Sequence, residues 1–213
     1  MVETAVRDEV EGSGLRARKK ERVRQQLAAA ALRLMSQRGF EAVTVEDIAA
    51  EVDVSTRTFY RYFPTKEDVL LDDPSDILDR FFEALGAEPP ERSAVVAVRA
   101  ALIAAAARYE AQGPDNLRRQ RIVDATPSLK VRQSERHTAW EQLLVPALGA
   151  RLGDPADRPS LEAEVLASCA VSVMRVSFAA WRADDGRRSY PGRVAEAFDV
   201  LERAVIAAAV APG

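Results

Sequence analysis

The sequence contains little cysteine or histidine, with one residue of each among 213. The single cysteine, Cys169, excludes an internal disulfide framework and a thiolate metal site, so we expect no metal. A histidine-dependent triad would have to use His137, the only histidine, and the sequence has no phosphate-cradling glycine loop. We therefore expect no catalytic residues and no cofactor.

Long apolar runs and a signal peptide are also missing. No stretch approaches the ~18 consecutive apolar residues that a membrane span requires. Residues 1–14 are acidic and punctuated by Gly and Ser, unlike a charged-then-apolar secretory signal. We expect a disordered N-terminal arm over 1–14, no membrane partner and a cytoplasmic protein. The apolar fraction of 47%, with 30% charged residues, is typical of a soluble globular protein.

The spacing of apolar residues predicts helices throughout the chain. Apolar residues recur at three and four positions, whereas Gly and Pro fall between segments, and no alternating strand of useful length is found. We predict an all-α fold, with a helix-turn-helix domain over 15–65 and a larger helical domain for ligand binding and dimerisation over 66–213. The predicted helices run over about 17–38, 45–51, 56–62, 66–86 with an interruption at Pro74, 92–112, 115–125, 128–151, 161–183 and 191–210.

Three N-cap candidates, Thr44, Ser55 and Thr65, follow one another closely. The helices between them are too short to be stable alone, so they must pack on the first long helix. A helix-turn-helix needs a small residue where its helices touch, a tight turn and an exposed polar face on its second helix. Ala49 is the small residue, and Asp53 lies at the turn, where Asp tolerates a left-handed backbone.

The second short helix has a polar outer face. Phe59 and Phe63 are predicted to point inward, which leaves hydroxyl and guanidinium groups able to reach phosphates or base edges. Lys66 adds a charge at the start of the next helix, as a predicted phosphate contact, and a basic run lies between Leu15 and Arg24. The predicted DNA contacts are Arg16, Lys19, Lys20, Thr44, Ser55, Thr56, Arg57, Thr58, Tyr60, Arg61, Tyr62 and Lys66.

The stretch VTVEDIAAEVDVSTRTFYRYFPTKEDVL, residues 43–70, resembles the signature of the TetR family of bacterial regulators. The resemblance implies a homodimer that binds a near-palindromic double-stranded DNA operator, usually as a repressor, and is released by a small-molecule effector. The sequence departs from the family pattern at Asp53, where the family prefers glycine. The resemblance places Thr44, Thr56, Arg57, Thr58, Tyr60, Tyr62 and Lys66 at usual DNA-contact positions.

The C-terminal region resembles the subgroup of this family with an acyl-CoA-like ligand-binding domain. In that subgroup an RR-x-R-x-I-x-x-x-P-x-L segment leads into a long helix with a central tryptophan; here these are Arg118 to Leu129, then Trp140. This resemblance implies an acyl thioester or a similar amphipathic effector. The predicted pocket is lined by Phe81, Phe82, Ile103, Tyr109, Ile122, Trp140, Met174 and Phe178, with Arg118, Arg121 and His137 as polar groups.

The helix over 161–183 has two apolar seams on nearly opposite sides, so we expect one to face its own domain and the other a second subunit. Which seam faces the partner stays open. The last helix is expected to complete a four-helix dimer interface. The predicted interface residues are Val171, Met174, Phe178, Val194, Phe198, Leu201 and Val205.

Two other functional classes also stay open. An all-helical enzyme that uses only carboxylate chemistry is compatible with the composition, and so is a helical interaction scaffold without DNA binding. A scaffold would leave the exposed Arg57, Tyr60 and Lys66 without a role.

Overall fold

The structure is a computed structural model that describes the backbone of residues 2–71, 77–155 and 157–210 and the side chains of residues 18–71, 77–155 and 157–204. Throughout these ranges every regular element is an α-helix, which confirms the predicted all-α fold. The helices are α1 Val2–Arg38, α2 Val45–Glu51, α3 Thr56–Tyr62, α4 Asp68–Leu71, α5 Ile77–Ala87, α6 Ala94–Glu110, α7 Asp115–Ala125, α8 Pro127–Leu152, α9 Leu161–Ala183 and α10 Tyr190–Val210.

The first helix differs most from its predicted bounds. It begins at Val2 rather than near Ala17, so the segment predicted as a disordered arm continues the helix. The segment has no proline, and most of its residues are adequate helix formers, so Gly12 and Gly14 oppose the helix by only about 1 kcal/mol each. The interruption predicted at Pro74 lies outside the described residues.

Contacts divide the chain into two compact units, residues 1–73 and 74–213. The predicted boundary was at 65/66, before α4. The difference has a physical reason: α4 packs against α1, because Val69, Leu70 and Leu71 are all buried.

The core of the first unit lies where α2 and α4 pack on α1 and α3 packs on α2. Gly39 ends α1 with φ +83°, and its N–H donates to the Met35 carbonyl at 2.9 Å, as the predicted glycine cap requires. The next residue, Phe40, is buried against this end. Other fully buried side chains of the unit are Leu27, Met35, Val43, Ile48, Phe59 and Phe63.

The core of the second unit lies where α6 packs on α5 and α10, and α9 packs on α8 and α10. Small side chains allow these helices to approach closely. The buried alanines include Ala97, Ala101, Ala105 and Ala106 of α6 and Ala163, Ala167 and Ala170 of α9.

Helix α9 is long and apolar enough to cross a membrane by length and composition alone. A single helix of this kind is weak evidence for a membrane span, and 44% of its most apolar stretch is buried inside the protein.

Candidate DNA-binding and ligand sites

The turn between α2 and α3 has the geometry that a helix-turn-helix needs. The Thr44 hydroxyl accepts from the Asp47 N–H at 3.1 Å, and the Asp47 carboxylate accepts from the Thr44 N–H at 3.0 Å, so a complete capping box starts α2. Asp53 has φ +55°, the left-handed conformation predicted for it. The next N–H, of Val54, donates to the Ala49 carbonyl at 3.0 Å. This fixes the direction in which α3 leaves the turn.

Substitutions at Asp53 are expected to separate backbone strain from side-chain contacts, because this side chain is exposed. Asp53→Val should lower the free energy of unfolding by about 1–2 kcal/mol, since a β-branched residue resists positive φ. Asp53→Gly should leave it equal or slightly higher. Urea denaturation followed by circular dichroism measures both. Equal stability of the two variants would contradict a strained position.

The outer face of α3 carries cationic and aromatic side chains. Phe59 and Phe63 are completely buried, which fixes the rotation of the helix. Arg57, Tyr60 and Arg61 are therefore on the opposite face, and all three are exposed, with Tyr60 52% accessible. No residue of α3 is acidic. The helix thus presents a positively charged, amphipathic surface to solvent.

The other predicted DNA contacts have more varied surroundings. Ser55 is the N-cap of α3: its hydroxyl accepts from the Thr58 N–H at 3.1 Å and lies 3.0 Å from the Thr58 hydroxyl. The guanidinium of Arg61 lies over the ring of half-buried Tyr62 at 5.1 Å. Thr44 is exposed, Thr56 is half-buried, Lys19 and Lys20 are exposed on α1, and the side chain of Arg16 lies outside the described residues.

Lys66, predicted from sequence as a phosphate contact, has partners within the protein. Its ammonium group donates to the carbonyls of Phe40 and Val43, each at 3.0 Å, and lies 4.2 Å from the centre of the Phe40 ring. The carbonyls belong to the turn between α1 and α2, so Lys66 ties this turn to the segment that leads into α4. The sequence could not show this, because the acceptors lie 26 and 23 residues upstream.

A small apolar cavity, partly open to solvent, lies in the second unit, and its empty space of about 230 Å³ includes open solvent. Three of the predicted pocket residues, Phe81, Trp140 and Met174, line it. The other lining residues, which the sequence did not single out, are Ile77, Leu78, Leu102, Leu144, Ala170 and Val171.

The remaining predicted pocket residues lie elsewhere. Arg118 is exposed and pairs with Asp115 of its own helix at 2.9 Å, and Arg121 is exposed and pairs with Asp185 at 2.8 Å. Neither arginine is among the residues that line this cavity. Ile122 is buried, and Phe82, Ile103 and Phe178 pack against the core. Tyr109 belongs to an aromatic cluster with Phe178, Trp181 and Tyr190.

His137 does lie next to the cavity. Its ring is 5.5 Å from the ring of Trp140, a lining residue. Burial, and then the positive charges of Arg175, Arg136 and Arg182, lower the pKa of His137 to about 4, so the imidazole is neutral near pH 7. Among the described side chains, no group of three or more His, Cys, Asp or Glu could hold a metal ion.

The low pKa of His137 predicts that the folded protein loses some stability at acidic pH. The unfolded chain binds a proton near pH 6.5, whereas the folded chain does so only near pH 4, so stability present above pH 6.5 is lost as the pH falls toward 4. Solvent screens this half-buried group, so we take the loss as about 1 kcal/mol, or about 2–4 °C in Tm. Between pH 7 and pH 4.5, Tm should fall further for the wild type than for His137→Gln. Parallel Tm curves would show that His137 titrates normally.

Comparison with known proteins decides the family. Residues 27–72 match the family model "Bacterial regulatory proteins, tetR family", and residues 92–210, more than half of the chain, match the model "MftR C-terminal domain". The chain belongs to the TetR family. Proteins of this family are DNA-binding transcriptional regulators, so the helix-turn-helix assignment and the family resemblance of residues 43–70 are confirmed.

The relatives of this regulator include the HTH-type transcriptional regulator TcmR of Streptomyces glaucescens, 37% identical over 148 residues. That match covers 67% of this chain and 66% of TcmR, just under two thirds of its length. The fold is similar to that of NalD, the secondary repressor of the MexAB-OprM multidrug efflux pump in Pseudomonas aeruginosa, with TM-score 0.58, 17% identity and coverage of 87% and 96% of the two chains. It is also similar to FadR of Bacillus subtilis in complex with stearoyl-CoA, with TM-score 0.53, 16% identity and coverage of 83% and 96%.

The dimer surface predicted for this regulator needs correction. Val171, Met174, Val194 and Phe198 are buried within the core of the second unit, so they are not available to a partner, and half-buried Phe178 packs against the same core. The alanines of α9 let α6 and α8 pack closely against it. The side of α9 that faces the core therefore includes more residues than the single apolar seam predicted from sequence. Leu201 is exposed, and the side chain of Val205 lies outside the described residues. The exposed apolar side chains of α9 and α10 are Leu161, Val165, Val176, Val200 and Leu201.

Proposed function

We propose that this chain is a cytoplasmic repressor that binds a near-palindromic operator as a homodimer and is released by a small amphipathic effector. The outer face of α3 carries the proposal. Two fully buried phenylalanines fix the rotation of α3 so that Arg57, Tyr60 and Arg61 face outward together. Guanidinium groups bind phosphates and guanine edges, which makes this face suited to the major groove.

The exposed apolar side chains of α9 and α10 support a dimer. Val165 and Val176 of α9 are 53% and 51% accessible, and Val200 of α10 is 53% accessible. A symmetric pair of these faces would bury them in a four-helix interface. Two copies of α3 would then read half-sites about 34–36 Å apart, which is one turn of duplex.

The apolar cavity is the proposed effector site. The space that its walls enclose is small, with room for about one water molecule, so any organic effector has to widen it. The resemblance to regulators with acyl-CoA-like ligand domains favours an acyl thioester, and the FadR of similar fold was determined with stearoyl-CoA. Opening of the cavity is then the step that ligand binding couples to DNA release.

A fluorescence-anisotropy titration of the full chain tests the proposal. The protein is titrated against DNA upstream of its own gene and against a random-sequence pool, at several salt concentrations, with and without acyl-CoA thioesters of increasing chain length. We expect selective binding with a slope of log K against log salt near −0.9 per phosphate contact.

The possible outcomes test the effector assignment and the DNA-binding assignment separately. Release of the DNA by one thioester supports an acyl-thioester effector. Selective DNA binding that no thioester disturbs contradicts that effector but still supports a DNA-binding regulator. If the upstream DNA binds no more tightly than the random-sequence pool, the operator proposal is wrong.

A further inference from the structure

The two arginines on the outer face of α3 have different surroundings. Arg57 is the second residue of the helix and Arg61 the sixth, so they lie about one turn apart on the same side of it. Both side chains are exposed. Arg57 forms no hydrogen bond or ion pair with any residue that the structure describes, whereas Arg61 has a partner at the C-terminal end of the helix.

Arg57 is the only exposed residue in the first turn of α3. Its neighbours Thr56 and Thr58 are both half-buried. The Ser55 hydroxyl accepts from the Thr58 N–H at 3.1 Å and lies 3.0 Å from the Thr58 hydroxyl, so these two hydroxyls are engaged in the cap. In a helix-turn-helix the N-terminal residues of the second helix contact base edges. Arg57 is therefore the side chain of the first turn that is placed to contact a base.

Arg61 is held at the other end of α3 by the ring of Tyr62. Its guanidinium carbon lies 5.1 Å from the centre of the ring, and its Nη2 donates to the Tyr62 hydroxyl at 3.3 Å. Both partners are uncharged, so the positive charge of Arg61 is retained. Because the N-terminal end of the second helix is the end that enters the groove, a cation at the opposite end is closer to the phosphate backbone.

We propose that Arg57 determines the sequence preference of this regulator by pairing with a guanine in each half-site, while Arg61 binds a phosphate and adds affinity without sequence preference. Arginine donates two N–H groups to O6 and N7 of guanine, a pair of acceptors that no other base presents in the major groove. This inference rests on the proposed function, in which the outer face of α3 contacts an operator. It adds which arginine recognises the operator sequence and which base that arginine requires.

Enrichment of bound sequences from random DNA tests this division of roles. The full-length wild type, Arg57→Ala and Arg61→Ala are each used to enrich sequences from the same pool, and the enriched sites are sequenced. Arg92→Ala, which removes an exposed arginine from the second unit, is the control. Circular dichroism checks the helix content of every variant.

Fluorescence anisotropy then gives the affinity and the salt slope of each variant on the site that the wild type enriches. The same titration is repeated on a copy of that site in which 7-deazaguanine replaces the enriched guanine. This base lacks the N7 acceptor, so it removes one of the two hydrogen bonds to an arginine without changing the protein. Combining the altered base with each protein variant isolates the contact between that side chain and that base.

We expect the wild type and Arg92→Ala to enrich the same two-fold symmetric site, with a guanine in each half. In Arg57→Ala the preference for that guanine, about tenfold or more in the wild type, should fall to within about threefold. The 7-deazaguanine copy should bind more weakly to the wild type and to Arg61→Ala, but not to Arg57→Ala. Arg61→Ala should enrich the wild-type site, with a salt slope smaller in magnitude by about 1 for each half-site.

Several results would overturn the proposal. A guanine preference that survives in Arg57→Ala, or equal sensitivity of this variant and the wild type to 7-deazaguanine, would show that Arg57 does not contact the base. Loss of the guanine preference in Arg61→Ala, or an unchanged salt slope in that variant, would show that Arg61 does not act through a phosphate. A wild type that enriches no sequence would overturn the proposed function itself, which distinguishes that failure from a wrong division of roles.

Discussion

Replacing Arg57 and Tyr60 together by alanine is expected to weaken operator binding about 100-fold or more. Both side chains are exposed on the outer face of α3, opposite the buried Phe59 and Phe63, so their removal should leave the packing of the helix unchanged. Loss of an arginine contact to DNA costs about 1–3 kcal/mol, and each 1.4 kcal/mol is tenfold in affinity. In a homodimer the contact is lost at both half-sites.

The measurement is fluorescence anisotropy on the upstream DNA that the wild type binds selectively, at fixed salt, with helix content checked by circular dichroism. A suitable control is Arg92→Ala/Val131→Ala, which removes one exposed arginine and one exposed apolar side chain from the second unit. Its affinity should change less than about twofold, since it lies outside the proposed contact face. Wild-type affinity in the α3 variant would show that another surface contacts DNA.

The salt dependence of single variants divides the contacts further. If Arg57 contacts phosphate, Arg57→Ala should lower the magnitude of the salt slope by about 1 for each half-site. If Arg57 pairs with a guanine instead, the slope should change little, and discrimination at one operator position should relax.

Local patterns made the first unit largely predictable from the sequence. The bounds of α2 and α3 agree with those predicted, because the caps Thr44 and Ser55 act through hydrogen bonds within three residues of themselves. Asp53 was placed correctly in the left-handed region, because the turn demanded that conformation of one residue. Caps and turns of this kind depend on a few neighbouring residues, so a short stretch of sequence is enough to predict them.

Contacts between distant residues were not predictable in the same way. Arg121 pairs with Asp185, 64 positions away, and Trp181 donates to Glu110, 71 positions away. The sequence pattern also did not predict which side of α9 faces the core. The helix is apolar on several sides, and its buried alanines determine which side packs against the neighbouring helices. The cavity therefore has walls that only the tertiary structure defines, although three of its residues were foreseen.

Replacing Lys66 by methionine is expected to destabilise the helix-turn-helix rather than to remove a DNA contact. Methionine keeps much of the side-chain length but donates no hydrogen bond, so the carbonyls of Phe40 and Val43 lose their shared partner. Hydrogen bonds from a charged donor are worth about 1.5–3 kcal/mol each, and this site is partly exposed, so we expect a loss of about 2 kcal/mol for the pair. Helices of seven residues have little stability of their own, so α2 and α3 should be the first elements to unfold locally when these hydrogen bonds are lost.

Hydrogen exchange followed by mass spectrometry reports this loss locally, which tryptophan fluorescence cannot do, since Trp140 and Trp181 both lie in the second unit. Peptides from α2 and α3 should exchange about 30-fold faster in Lys66→Met, while peptides from α8 should keep their wild-type rates. Lys130→Met makes the same chemical change at an exposed position of α8 and should leave α2 and α3 unaffected. The opposite pattern, with wild-type exchange in α2 and α3 but a weaker salt slope of operator binding, would return Lys66 to the role of a phosphate contact. That outcome would mean that its ammonium group leaves the two carbonyls when DNA is bound.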